Sequence, residues 1–175
     1  MHRNPRRLKV PMKVIGIIRY SNSGKTTLIE SLIPLFQARG LTVSAIKNAH
    51  HGFDMDRPGK DSFRYRDAGA GQVLIATALR WALLTETPQR PATLDELLER
   101  LEPCDLVIVE GFKSEGHVPR IEVRRAAEPE PAIFPRDPNV IAIASDHSVQ
   151  APLPVLDLNA PAKIAEFIAL RLGLA

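Results

Sequence analysis

The stretch RYSNSGKTT, residues 19–27, ends in Gly24, Lys25 and Thr26, the last three symbols of a phosphate-cradling loop written G-x-x-x-x-G-K-[ST]. In such a loop the backbone N–H groups of Asn22, Ser23, Gly24, Lys25 and Thr26 converge on a phosphate at the start of a helix, where the macrodipole favours an anion. Lys25 would supply a mobile charge between the β and γ phosphates. The Thr26 hydroxyl is the expected magnesium ligand, and Thr27 is expected to reach the α-phosphate. Gly24 suits its place because a Cβ there would hold the backbone away from the anion. The first glycine of the pattern is replaced by Arg19. That glycine mainly eases the turn out of the preceding strand, so a residue of negative φ is tolerable, and Asn22 enters the left-handed region more readily than most side chains. The reading adopted is that Arg19 points to solvent beside an intact cradle; the alternative is a built-in arginine finger.

A second acidic group is needed beside such a loop. CDLVIVEGF offers an apolar run ending in Glu110, and a carboxylate at the carboxyl end of a buried strand can hold a magnesium-bound water or orient the attacking one. Residues 47–61, KNAHHGFDMDRPGKD, gather Lys47, His50, His51, Asp54, Asp56, Lys60 and Asp61 on one Gly- and Pro-bearing loop, a setting in which substrate-binding groups concentrate. Asp54 or Asp56 could serve magnesium or the attacking water, with Asp56 taken as the catalytic candidate; solvated loop acids are the alternative. The adjacent histidines lack a cysteine or third histidine at ligand spacing, which argues against a structural zinc.

These residues need a scaffold that delivers them to one edge. MKVIGII (12–18) is a short apolar run rich in β-branched residues, the pattern of a strand covered on both faces. After the polar loop, Leu28, Leu32, Leu35 and Phe36 recur at helical spacing up to a stop at Gly40, with Pro34 as a candidate kink. TVSAIK, QVLIAT, RWALLTE, DLVIVE, IEVRR and NVIAIAS read as further strands. DSFRYRDAG, TLDELLERL and APAKIAEFIALRLG read as helices, the second with Thr93 and Glu96 in capping-box positions. Alternating strands and helices predict an α/β fold with a mostly parallel sheet, helices on both faces and ligand chemistry at the strand carboxyl ends. AAEPEPAIFPRDP, with its four prolines, reads as an irregular surface connection.

Composition narrows the class. With 45% apolar and 25% charged residues the 175-residue chain is neither disordered nor fibrous, and its length suits one domain, here residues 12–175, behind a basic arm at 1–11 that is expected to be disordered. The formal charge of +3 owes much to that arm, which reads as a solvated tail rather than a nucleic-acid contact. No apolar run reaches the ~18 residues of a membrane span, and the basic start lacks the apolar region of a signal peptide. One cysteine, Cys104, permits no internal disulfide, which fits a cytoplasmic setting.

The segments SGKTTLI, IKNAHHGFDMDRPGKDS, RWALLTETP, DLVIVEGFK and VIAIASD, in that order, resemble the molybdopterin-guanine dinucleotide biosynthesis adaptor family, MobB, from residue 12 onward. The resemblance implies a P-loop NTPase fold, a homodimer, and GTP binding with weak magnesium-dependent hydrolysis. It also implies support for the molybdopterin guanylyltransferase that attaches GMP to molybdopterin. On this chain the family's phosphate-loop role falls to Ser23, Gly24, Lys25, Thr26 and Thr27, and its acidic strand-end role to Glu110. Family loops tend to be small and glycine-bearing where Arg19 and Asn22 stand, which bears on hydrolysis more than on binding. The chain has no N-K-x-D motif. Asp146 is the candidate base reader, since a carboxylate accepts from the ring N–H and amino group of guanine, and adenine has no ring N–H there. Lys113, Arg120, Arg124 and Arg125 could meet an anionic pterin or an acidic partner, or form a solvated sheet edge. Two other functions fit the loop: a small-molecule P-loop phosphotransferase and a non-catalytic anion-binding scaffold.

Overall fold

The computed structural model describes residues 11–20, 24–49, 56–113, 115, 117–126 and 130–174. The basic arm, apart from residue 11, lies outside them, as do Asn22, Ser23, His50, His51 and Asp54. The chain forms two compact units, Met1–Asn48 with Leu94–Ala175 and Ala49–Thr93. The α/β domain read from the sequence thus carries a separate compact insert.

The first unit is built on a six-stranded, all-parallel sheet in the order β2-β5-β1-β6-β7-β8. Its strands are β1 (Lys13–Ile18), β2 (Val43–Lys47), β5 (Leu106–Glu110), β6 (Arg120–Arg124), β7 (Val140–Ser145) and β8 (Val155–Asp157). The apolar runs behave as strands covered on both faces should. Ile15, Ile17, Ile108 and Ala142 pack against Leu28, Leu32 and Phe36 of α1 (Lys25–Gln37) and Ile164 and Ile168 of α4 (Pro161–Leu172). Val107 and Val109 face the other way, against Leu94 of α3 (Leu94–Leu98) and Phe112. Pro34 lies inside α1 without ending it. β8 has no counterpart in the sequence reading, because three residues between prolines and a polar turn show no periodicity to detect.

Two expectations are corrected here. Arg19 does not point to solvent: it is 1% exposed, and its guanidinium donates to Glu122 Oε1 at 3.2 Å and to the carbonyls of Pro131 and Glu130 at 3.1 Å each. Nor is β6 a solvated sheet edge, since it lies between β1 and β7. Glu122, at its centre and 0% exposed, also accepts the backbone N–H groups of Ile133 and Phe134 and pairs with Arg124 at 3.3 Å. Among residues 130–138 there is no helix or strand, yet the proline-rich connection is tied to this buried charge rather than lying loosely on the surface. Two buried charges are tolerable only when their remaining donors and lone pairs are also satisfied, and here the 130–134 backbone does that.

In the second unit α2 (Asp61–Asp67) precedes an antiparallel hairpin of β3 (Gln72–Ala76) and β4 (Trp81–Thr85), paired Leu74 to Leu83 and Ala76 to Trp81. Directly opposed residues share a face of the hairpin. On this face Leu74, Trp81 and Leu83 are all exposed, Trp81 by 62%.

Removing one partner of the buried pair leaves an uncompensated charge. Arg19→Met or Glu122→Leu alone is expected to lower unfolding free energy by about 3–5 kcal/mol, and the double variant to recover only part of it, because Glu122 also holds the Ile133 and Phe134 N–H groups and Arg124. Urea unfolding at neutral pH measures this; single variants as stable as the parent would contradict it.

Candidate nucleotide site

β1 delivers the loop and β5 delivers the acid to the same sheet edge. Their parallel register pairs Ile17 with Glu110, so Glu110 ends its strand beside the chain leaving β1. The Thr26 hydroxyl at the start of α1 donates to Glu110 Oε2 at 3.2 Å, and Lys47 Nζ at the end of β2 lies 3.5 Å from Oε1. The threonine and acid expected to share magnesium are therefore in contact. Hard oxygen donors of this kind suit magnesium, which takes one or two carboxylates and completes its shell with water and substrate phosphates. Among the described residues no three His, Cys, Asp or Glu side chains gather to hold a metal by themselves.

Lys25 donates through Nζ to the Tyr20 carbonyl at 2.6 Å. Gly24 has φ +80°, a left-handed conformation costly for a residue with a Cβ. A Cβ there would also meet the Arg125 guanidinium at 2.6 Å. Thr27 is exposed on the first turn of α1.

The turn behind Glu110 is strained and braced. Gly111 has φ +92° and, unusually for a side-chain-bearing residue, Phe112 has φ +52°. Glycine takes a positive φ without penalty, whereas for Phe112 it costs roughly 1–3 kcal/mol and persists where surroundings over-determine it. Here Phe112 is buried, and Arg120 donates to the carbonyls of Phe112 and Glu115 while pairing with Asp137 at 2.8 Å. Arg120, taken from sequence as a possible pterin or partner contact, is thus a 3% exposed brace for the turn that carries Glu110.

Asp56 belongs to the second unit. Its carboxylate accepts the Ser62 hydroxyl at 2.7 Å and the Arg57 N–H at 3.1 Å, and lies 3.5 Å from Arg66 Nε, which brackets it to α2. Asp146 follows β7; its Oδ1 accepts the Ala126 N–H at 2.9 Å and lies 3.0 Å from His147 Nδ1. The His147 bond, then the Ala126 bond, hold its carboxyl below the usual range. Two further residues, Tyr20 and Asn159, take places at the site that spacing did not reveal, and Arg125, expected at a pterin or partner surface, joins them. Tyr20 lies under Lys113 Nζ at 4.3 Å and under the Arg19 guanidinium at 5.3 Å. Arg125 covers Gly24, and Asn159 stands across a cavity from it. Lys113 is far from Tyr20 in sequence, so no local pattern signalled that contact.

The family model for molybdopterin guanine dinucleotide synthesis protein B matches residues 14–146. The chain belongs to this family. It is 44% identical over 159 residues to the molybdopterin-guanine dinucleotide biosynthesis adapter protein of Haemophilus influenzae, covering 89% of this chain and 86% of that one. It is 39% identical over 163 residues to the Escherichia coli adapter, covering 91% and 93%. A crystal structure of molybdopterin-guanine biosynthesis protein B superposes with a TM-score of 0.72 at 30% identity, over 91% of this chain and 99% of that one. The Bacillus subtilis MobB structure gives 0.70 at 26%, over 92% and 98%. The sheet order, the loop-to-helix junction and these likenesses agree on a P-loop NTPase fold with an adapter role in molybdopterin guanine dinucleotide biosynthesis.

Burial, and then the nearby Arg19 cation, lower the Lys113 pKa from its ordinary value. A lowered amine pKa means more neutral, nucleophilic amine at a given pH. Lys113 is expected to acylate with a succinimidyl ester at lower pH than the protein's surface lysines, and Arg19→Met to move its profile upward. Mass-spectrometric mapping across about pH 7–10 checks this; a Lys113 profile matching the surface lysines would contradict it.

Proposed function

We propose that this protein binds GTP with magnesium at the loop ending in Gly24-Lys25-Thr26. In this reading it hydrolyses GTP slowly and serves, as a cytoplasmic homodimer, the guanylyltransferase that attaches GMP to molybdopterin. The observation that carries the reading is the 3.2 Å contact between the Thr26 hydroxyl and Glu110, beside a lysine whose Nζ is bonded to the Tyr20 carbonyl. Thr26 and Glu110 would hold Mg2+, which when bound neutralises charge on the β and γ phosphates. Lys25 exchanges the Tyr20 carbonyl for phosphate oxygens. The amides from Gly24 to Thr26 open α1 and point along its axis, so they donate to the same anion.

Slow turnover follows from what surrounds the phosphates. Glu110 is the carboxylate placed to orient water. Asp56 is not carried forward in that role, because Ser62, Arg57 and Arg66 hold it within its own unit. Arg19 is committed to Glu122 and the 130–131 carbonyls and does not serve as an arginine finger. Among the described residues no helix is long and apolar enough to cross a membrane.

The homodimer is supported by the apolar face of the β3–β4 hairpin, where Leu74, Trp81 and Leu83 stand exposed together. Contiguous apolar patches of this kind mark association surfaces. The family likeness makes a second copy of the chain the natural occupant.

Isothermal titration with Mg2+ is expected to show GTP bound more tightly than ATP, and Lys25→Ala to weaken GTP by about a hundredfold, as removal of a charge-assisted contact does. Phosphate release should be slow to water and unaffected by added small-molecule acceptors. Undiminished GTP binding by Lys25→Ala, or transfer to an acceptor, would overturn the reading. Separately, Trp81→Glu with Leu83→Lys is expected to convert a dimer to a monomer in sedimentation velocity while GTP binding persists; a dimer retained by that variant contradicts the hairpin interface.

A further inference from the structure

A cavity of about 220 Å³ opens beside the loop shoulder, lined by Gly24, Thr27, Ser31, Arg125, Leu158 and Asn159 among others. It is too small for a whole nucleotide, given that small-molecule sites run to about 300–1,000 Å³. Its position is telling. Glu110 and Thr26 mark where the metal-bound, γ-phosphate end of a triphosphate would lie. The cavity is lined by Gly24 at the loop shoulder and, along α1, by Thr27, the residue expected to reach the α-phosphate, and by Ser31 a turn later. A triphosphate laid over the loop amides with its γ end at Glu110 leads its α end into this space.

Resting on the nucleotide-binding reading above, we propose that this cavity takes the nucleoside half of GTP, with Arg125 and Asn159, rather than Asp146, contacting the base. The lining has the mixture such a role needs: apolar faces from Leu28, Leu158 and Pro161, and polar edges from Arg125 and Asn159. Asn159 is presented by an anchored turn. Its N–H donates to Asp157 Oδ1 at 2.8 Å, the Ala160 N–H donates to the Asp157 carbonyl at 3.0 Å, and the Leu158 N–H donates to the Ser145 carbonyl at 2.9 Å. A side-chain amide with a donor and an acceptor end, carried on this anchored backbone, can read a purine edge. Arg125 has donors only. Guanine offers two adjacent acceptors, N7 and O6, where adenine offers an acceptor beside a donor, so a guanidinium favours guanine.

Asp146 is better placed as a positioning residue. Its Oδ1 already accepts from Ala126 N–H and lies against His147, so pairing with both guanine donors would compete with these bonds. Its bond to Ala126 instead fixes the backbone one residue beyond Arg125.

The test compares GTP, ATP and inorganic tripolyphosphate, each with Mg2+, on the full chain. Asn159→Ala is expected to weaken GTP about tenfold, the scale of one lost hydrogen bond to a polar ligand, with tripolyphosphate unchanged. Ser31→Phe, which fills the cavity, is expected to bring GTP affinity down to that of tripolyphosphate. Arg125→Met is expected to bring the ratio of GTP to ATP affinity toward one. Retained tripolyphosphate binding shows that each variant keeps its loop folded. GTP affinity unchanged in both Ser31→Phe and Asn159→Ala would overturn the inference and leave the phosphate loop standing. A parent chain binding neither GTP nor tripolyphosphate would overturn both.

Discussion

The parallel pairing of β1 with β5 is the constraint on which the site depends. Because Ile17 stands opposite Glu110, a strand-end carboxylate and a helix-start hydroxyl that are 84 residues apart in the chain meet at 3.2 Å. Nothing local to either residue could bring this about. A slip of one residue would turn Glu110 to the other face of the sheet, because side chains alternate along a strand. The fully buried Ile15, Ile17, Ile108 and Val107 make that slip costly, since it would exchange the sets facing α1 and α3.

Around that constraint the chain places charge where most folds place hydrocarbon. β6 is an interior strand, yet it buries Arg120 and Glu122 and half-buries Arg124. Each is used. Glu122 receives Arg19 and the backbone of the proline-rich segment, so the start of the phosphate loop is fastened to a central strand. Arg120 braces the positive-φ turn behind Glu110. Two buried ion pairs thus flank the loop and the acid, fixing their backbones from behind and leaving the outward faces to a ligand.

Much of this was legible in the sequence, for physical reasons. The β1 run, the amphipathic α1 and the loop between them carry strong local signals, and Glu110 follows from an apolar run that ends in a carboxylate. Six further strands and three further helices were read at nearly their observed positions. What escaped was long-range. Arg19 reads as exposed because its partner lies 103 residues away, and an arginine on its own belongs at the surface. The Arg-rich β6 reads as an edge for the same reason. β8 is too short to show a period, and Arg125 and Asn159 sit in no motif; their relation to the loop appears only once β6, β8 and α1 are assembled.

The most direct test is a crystal structure with a non-hydrolysable GTP analogue and Mn2+ in place of Mg2+, read by anomalous scattering. The account predicts one manganese peak at the Thr26 hydroxyl and the Glu110 carboxylate, the direct bond between them replaced by shared coordination, with the triphosphate along the amides from Gly24 to Thr26. Manganese bound elsewhere while Thr26 still donates to Glu110, or a triphosphate that does not touch those amides, would contradict it.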